Sequence, residues 1–225
     1  MDFADNYETL PVKVCQVFVS YFFTAFSLCL QMISILHWSL SLSYSFLMKV
    51  DDDVLLDPGG IERLHKNVMK MFTGKNVIFG FQMKKSSVHR HGKYSVKEYS
   101  FEKSNFPDFV LGSFYILTAK AVRSIVSEGS DKVAVPLEDV AITGVLRELS
   151  GTGIVSIKQY MVPTLDYVYG LIKFFGNDLE ECVKHLAEYS VVHVQFHNVK
   201  NVTTEEETRI GNWIWTKVWK YNLKK

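Results

Sequence analysis

Neither sign of charge predominates in this chain: 25 Lys and Arg stand against 24 Asp and Glu, a formal net charge of +1 over 225 residues. Without a basic excess it has nothing to neutralise a phosphate backbone, and no local basic patch is visible, which excludes charge-driven nucleic-acid binding. Cysteine is scarce. Cys15, Cys29 and Cys182 form no Cys-x-x-Cys pair and no zinc-knuckle spacing, and their odd number leaves one unpaired in any disulfide scheme. Five Pro and 13 Gly are too few for collagen-like or linker-rich chains. A Walker A loop, a GxGxxG turn, an HExxH helix and an ordered Ser-His-Asp set are all absent, which removes support for P-loop, dinucleotide, zincin and acyl-transfer chemistry. What is present is a 48% hydrophobic, 14% aromatic composition, enough to fill the core of one ordinary globular domain.

Periodicity predicts an α/β chain without internal repeats. Met1 to Val14 reads as a short helix, with Asp2, Asp5 and Glu8 early and Lys13 late, in accord with the helix dipole. Val14 to Met48 contains no Asp, Glu, Lys or Arg, and Val17 to Leu42 is long and apolar enough to be a membrane-span candidate. Gln16, Gln31, His37 and recurrent serines weigh against a span there. Tyr44 to Val50 is expected to be a buried strand, ended by three acids. Asp57-Pro58-Gly59-Gly60 is a turn leading to a helix from Ile61 to about Phe72, and Val77 to Phe81 is the next strand. Lys84 to Phe109 is polar and irregular or hairpin-like; the apolar segment Val110 to Leu117 and a helix from Ala119 to about Ser127 follow. Pro136, Glu138 and Asp139 open an amphipathic helix that Gly151 or Gly153 ends. Ile154 to Val162 resembles a strand, Asp178 to Tyr189 a helix and Val191 to Phe196 a short strand. The tail from Thr204 reads as a helix bearing Trp213, Trp215 and Trp219.

The feature richest in chemistry is Asp51-Asp52-Asp53, set between apolar runs. Three consecutive acids there are costly unless something neutralises them. Carboxylates at the carboxyl end of a strand supply the hard oxygens that a divalent cation on a diphosphate requires. An EF-hand register fails, because Leu55 stands where a liganding oxygen is needed and Leu56 where the loop needs Gly. Glu138 and Asp139 lie at a helix start, where one carboxylate can serve as a general base while backbone amides hold the other, or where both merely cap. Gly112, followed by Ser113, would let a ligand approach the backbone. His193 and His197 precede a polar turn and are acceptable metal ligands. Asn201-Val202-Thr203 is a glycosylation sequon if the chain reaches a secretory lumen.

Taken in order, five segments resemble the beta-1,3-galactosyltransferase-like family: Asp2 to Tyr7 with Leu10 and Lys13; Phe46 to Val54 around the DxD motif; Lys93 to Val96 with Tyr99; Phe106 to Phe109 with Gly112 to Thr118; and Pro136 to Val140. The resemblance implies a GT-A fold, a mixed sheet flanked by helices and incomplete at the amino end. Residues 1–225 would then be a single partial catalytic domain, with residues 17–43 an apolar insertion or possible membrane span. It also implies an inverting hexosyltransferase that moves galactose or an N-acetylhexosamine from a UDP-sugar to a sugar hydroxyl of a glycan acceptor, with Mn²⁺ on the diphosphate. The place would be the Golgi membrane, with the catalytic domain in the lumen. Carried residue by residue, Asp53, Asp51 and His197 would hold the metal. Asp51, Asp52, Glu138, Gly112 and Ser113 would contact substrate, and Asp139 would deprotonate the acceptor. Two other readings remain compatible with the residues: a non-catalytic remnant of that family, and a small integral membrane protein anchored by Val17 to Leu42.

Overall fold

The computed structural model describes residues 25–51, 54–92, 94–129, 135–162, 179–189 and 191–193, with positions 205, 209, 212, 213, 216, 217 and 221 beyond them. The helix expected over Met1 to Val14, together with Asp52, Asp53, Lys93, His197, Asn201, Trp215 and Trp219, lies outside the described residues.

A four-stranded mixed sheet carries the fold. Its order is β1 (Phe46–Val50), β4 (Phe109–Thr118), β3 (Val77–Met83) and β5 (Gly153–Ser156). β4 runs antiparallel to both neighbours, and β5 runs parallel to β3. Alternation along β4 decides the two layers. Tyr115 and Leu117 enter a cluster with Ile78 of β3 and with residues of α1 (Ala25–Ser39), α3 (Ala119–Ser127) and the segment Val140–Leu146. Phe114 and Ile116 enter the opposite cluster, with Phe79 and Leu64, the latter on α2 (Pro58–Asn67), and with Met69 of the following 3-10 turn, Met69–Phe72. The sheet is thus covered on both faces.

α1 occupies much of the apolar run that hydropathy marked as a span candidate. Cys29, Met32 and Leu36, at helical spacing, are buried in the first cluster. Burying a residue such as Leu36 is worth about 1.5–3 kcal/mol. The segment therefore packs on the sheet rather than standing apart from it. Among the described residues no helix is long and apolar enough to cross a membrane.

Several local expectations need correction. β1 is not buried throughout: among the described residues it is the sheet's edge, and Met48 and Val50 are exposed while Phe46 and Leu47 pack inward. The residues Pro58 to Gly60 are the first turn of α2 rather than a free turn. Asp57 is the N-cap, its Oδ2 accepting from the Gly60 amide at 2.9 Å, and Pro58 suits the first helical position. A further strand, β2 (Val54–Leu56), follows the acidic motif and pairs antiparallel with β7 (Val191–His193), which also pairs in parallel with β6 (Met161–Val162). The strand expected over Ile154 to Val162 is broken in two. Pairing with β3 ends at Ser156, buried Ile157 donates to the Gly80 carbonyl at 3.0 Å, and a 3-10 turn, Lys158–Tyr160, redirects the chain into β6. The helix expected from Pro136 is a π-helix, Val140–Leu146, finished by one α-turn, α4 (Arg147–Leu149); Gly151, at φ +63°, closes it. α5 (Leu179–Leu186) and α3 fall where periodicity placed them.

The polar stretch after β3 is irregular, as expected, with one antiparallel bridge between Ser87 and Asn105. It is organised by Arg90, whose guanidinium donates to the carbonyls of Val96 and Phe101 at 2.9 Å and of Lys103 at 3.1 Å. Beneath it Val96, Phe106, Phe109, Val135 and Val140 form a third apolar cluster.

Candidate active site

The site begins as an irregularity in the sheet. Gly80 of β3 pairs with Tyr115 of β4, and Gln82 with Val110, so β3 advances two residues while β4 advances five. Gly80 is required at this point, because a Cβ there would lie 2.1 Å from the Val110 side chain. The bulge takes Leu111 to Phe114 out of the β3 ladder and leaves the peptide groups of Gly112 and Ser113 available to other partners.

Those partners are the acidic residues singled out from the sequence. The Gly112 amide donates to Oδ2 of Asp139 at 3.1 Å, and the Val140 amide donates to Oδ1 of the same carboxylate at 2.8 Å. The Asp51 amide donates to the Ser113 carbonyl at 2.9 Å, fixing the end of β1 beside the bulge. A Cβ on Gly112 would sit 3.1 Å from the Asp139 Cβ, so glycine permits this approach. Ser113 is buried, and its hydroxyl has no hydrogen-bond partner among the described residues.

Two residues unmarked in the sequence complete the arrangement. Lys49, directly across from Tyr115 in the β1–β4 register, sends its ammonium to the Asp51 carboxylate and to the Gly112 carbonyl. The same ammonium lies 3.9 Å from Oε2 of Glu138 and 5.8 Å from the centre of the Tyr115 ring. The Tyr115 hydroxyl donates to Oε1 of Glu138 at 2.7 Å. Two signals could have found them: Lys49 and Asp51 share a strand face by period-two alternation, and Tyr115 is a polar-tipped aromatic in an otherwise apolar run. The π-helix is anchored to β4 by Thr143, whose hydroxyl accepts from the Val110 amide at 2.8 Å and lies 2.6 Å from the Asp139 carbonyl.

Burial dominates the electrostatics here. It pushes the Glu138 carboxyl up to about 7, against the opposing pull of the Lys49 ammonium and the Tyr115 hydroxyl. Asp139 is raised for the same reason, although two backbone amides and Lys49 favour its charged form. Tyr115 is held well above its ordinary value by burial and by the Glu138 carboxylate. The thiol of Cys29, on α1, is pushed up to about 12 by burial, with Glu138 and Asp139 adding to the effect, and so it stays protonated. The arrangement offers one carboxylate oriented by backbone amides, a second that exchanges a proton near neutrality, and a cation between them and the strand-end acid.

Of the residues expected to contact substrate or metal, the structure brings Asp51, Gly112, Ser113, Glu138 and Asp139 together. Asp52, Asp53 and His197 lie outside the described residues. β7 does place His193 opposite Val54 in the register, so the strand leading toward His197 runs beside the strand that follows the acidic motif.

A sheet covered on both faces, with acids gathered at a strand end and a helix start, is an arrangement suited to a group-transfer enzyme. A family model described as galactosyltransferase matches residues 1–158, and the chain belongs to that family. Its mixed α/β architecture is that of a GT-A-like glycosyltransferase domain. The chain is similar to a Caenorhabditis elegans protein named beta-1,3-galactosyltransferase bre-2, with 32% identity over 188 residues, which are 80% of this chain and 45% of that protein. The chain therefore spans less than half the length of this relative.

Proposed function

We propose that this chain transfers a hexose, galactose or an N-acetylhexosamine, from a UDP-sugar to a sugar hydroxyl of a glycan acceptor. The transfer inverts the anomeric centre and forms a beta-1,3 linkage, and it takes place on the lumenal side of the Golgi membrane. The observation that carries the reading is the joining of the strand-end Asp51 to the Glu138–Asp139 pair through Gly112, Ser113 and Lys49, within a galactosyltransferase-family fold.

In this reading Asp139 is the general base. Inversion needs a base on the face of the sugar opposite the leaving group, and a carboxylate held by two backbone amides keeps its orientation while it takes the acceptor proton. Each Asp139 oxygen accepts one amide hydrogen and retains a lone pair for the acceptor hydroxyl. Glu138, buried and bonded to Tyr115, contacts substrate beside it, and Gly112 and Ser113, next to the Asp139 carboxylate, would meet the sugar. The transition state resembles that of glycoside hydrolysis, so negative charge near the anomeric carbon is favourable.

The donor chemistry at the strand end fits Mn²⁺ or another hard divalent cation. Asp51 is 44% exposed, and its carboxylate already gathers a cation, the Lys49 ammonium. Asp51 and Asp53, with His197, are the residues that would hold the metal, and Asp52 would contact the donor. A bound divalent ion supplies Lewis-acid stabilisation of the departing UDP.

Calorimetric titration of UDP into the purified chain, with and without Mn²⁺, tests the reading. Binding that requires Mn²⁺ and is abolished by Asp53→Ala is the expected outcome. Equal affinity with and without the metal overturns the metal assignment, and no binding by a folded sample means that family membership here reflects ancestry without activity.

A further inference from the structure

Within the site Lys49 has no role assigned so far, yet it is its most connected side chain. It projects from β1 two residues before Asp51 and is 19% exposed, so its charge is largely withdrawn from water. Its ammonium touches three elements: it donates to Asp51 at the end of β1 and to the Gly112 carbonyl in the β4 bulge, and it lies 3.9 Å from Glu138 at the entrance to the π-helix. Gly112 is the pivotal partner. Its carbonyl is held by Lys49 while its amide holds Asp139, so one residue passes the constraint from the cation to the carboxylate. The β3 ladder does not constrain Gly112, because the bulge has removed it.

We propose that Lys49 is a positioning residue that fixes Asp139 relative to the acidic end of β1, by gripping Asp51 and the Gly112 carbonyl at the same time. The inference rests on the glycosyltransferase reading above, in which Asp51 belongs to the donor side and Asp139 to the acceptor side. Transfer requires both substrates at a set separation, and a displacement of about 1 Å in such an arrangement can cost about 10²-fold in rate. A lysine suits the task as a compact point charge, here donating to two acceptors and lying 3.9 Å from the Glu138 carboxylate.

The test uses two readouts on the full chain. NMR of the Gly112 amide and of the Asp139 carboxyl carbon reports the link whether or not sugar is transferred. Asp51→Asn is introduced into the parent and into Lys49→Met. The expected result is that it moves both resonances in the parent and neither in the Lys49→Met background. Shifts of equal size in the two backgrounds, or none in the parent, overturn the proposal. Where Lys49→Met does not fold, Lys49→Gln takes its place in the same cycle.

Kinetics form the second readout. In a parent that transfers sugar, Lys49→Met lowers kcat by about 10²-fold and Lys49→Arg restores part of the loss. The acid limb of the kcat profile also moves to higher pH, since the ammonium no longer favours ionised Asp139 and Glu138. The other ionisable groups facing that pair, Asp51 from β1, Tyr115 from β4 and Cys29 from α1, are unchanged. An unaltered kcat and profile overturn the proposal, because a lysine of structural importance alone would lower the folded fraction without moving the limb. A parent that neither binds UDP nor transfers sugar overturns the enzymatic reading instead, and the NMR cycle then decides the linkage.

Discussion

Glu62 and Glu138 are both glutamates with a lysine nearby, and they respond in opposite directions. On α2, Glu62 meets Lys66 at 2.5 Å, one helical turn away, with 64% of its side chain exposed. The lysine lowers its carboxyl below the ordinary value. In the site, Glu138 lies 3.9 Å from Lys49 with 14% of its side chain exposed, and its carboxyl is raised to about 7. Both partners have the same sign and chemistry. Access to water separates the two cases: on the helix surface solvent already stabilises the carboxylate, whereas at the bulge desolvation outweighs what Lys49 and the Tyr115 hydroxyl return. A lysine beside an acid is therefore not a sign of function. An acid that remains hard to ionise despite its lysine is a better one.

The largest effect that would sharpen this contrast is expected at Asp139. If Asp139 is the base, as proposed, replacing it with alanine should lower the transfer rate by about 10²–10⁴ and leave UDP affinity unchanged. The Gly112 and Val140 amides also lose their acceptor, at a stability cost of about 1–3 kcal/mol. Asp139→Asn is no gentler to the geometry, since its amide group must face one of two N–H donors. Transfer assays beside calorimetry separate the two losses; a variant that keeps its rate removes Asp139 from the mechanism.

Next in size is the pH dependence that Glu138 imposes on folding. Its carboxyl rises from 4.5 to about 7 in the folded chain, so between those values the folded state holds a proton that the unfolded state has released. Unfolding free energy must then fall as pH rises through that window, by roughly 3 kcal/mol at about 1.4 kcal/mol per pH unit. Glu138→Gln keeps an acceptor for the Tyr115 hydroxyl but cannot ionise, so its stability profile between pH 5 and 8 should be flatter than the parent's. Urea unfolding at both pH values makes the comparison; parallel profiles would mean that burial does not raise this carboxyl.

The same two regions mark what the sequence made legible. The body of α2, the strands around Val77 and Val110, and the acids at both Asp51 and Glu138–Asp139 follow from local pattern, because a turn residue or an alternation suffices to locate them, although the same pattern reads the N-cap Asp57 as part of a free turn. The link between the acids is not local. Lys49 meets Gly112 across 63 residues, and Gly112 meets Asp139 across 27, through a bulge that depends on the pairing of β3 with β4. The apolar run holding α1 was ambiguous for a different reason: hydropathy measures how apolar a segment is, not whether lipid or a sheet covers it. Only the packing of Cys29, Met32 and Leu36 against β4 and α3 shows the latter. Asp52, Asp53 and His197 lie outside the described residues, so their roles rest on the sequence pattern and the family resemblance.

The smallest effect lies at the other end of the comparison. Glu62→Gln removes a charge that is fully solvated in the folded chain, and its ion pair with Lys66 must hold two long, mobile side chains in one geometry. Because the folded carboxyl is lowered, whatever it contributes is present above the ordinary carboxylate range and lost as the pH falls through it, the reverse of the order at Glu138. At neutral pH the variant should melt with the parent, and added salt should change neither differently. A clear drop in its melting temperature would show that α2 depends on this pair, and that the distinction between exposed and buried acids drawn from Glu138 is too sharp.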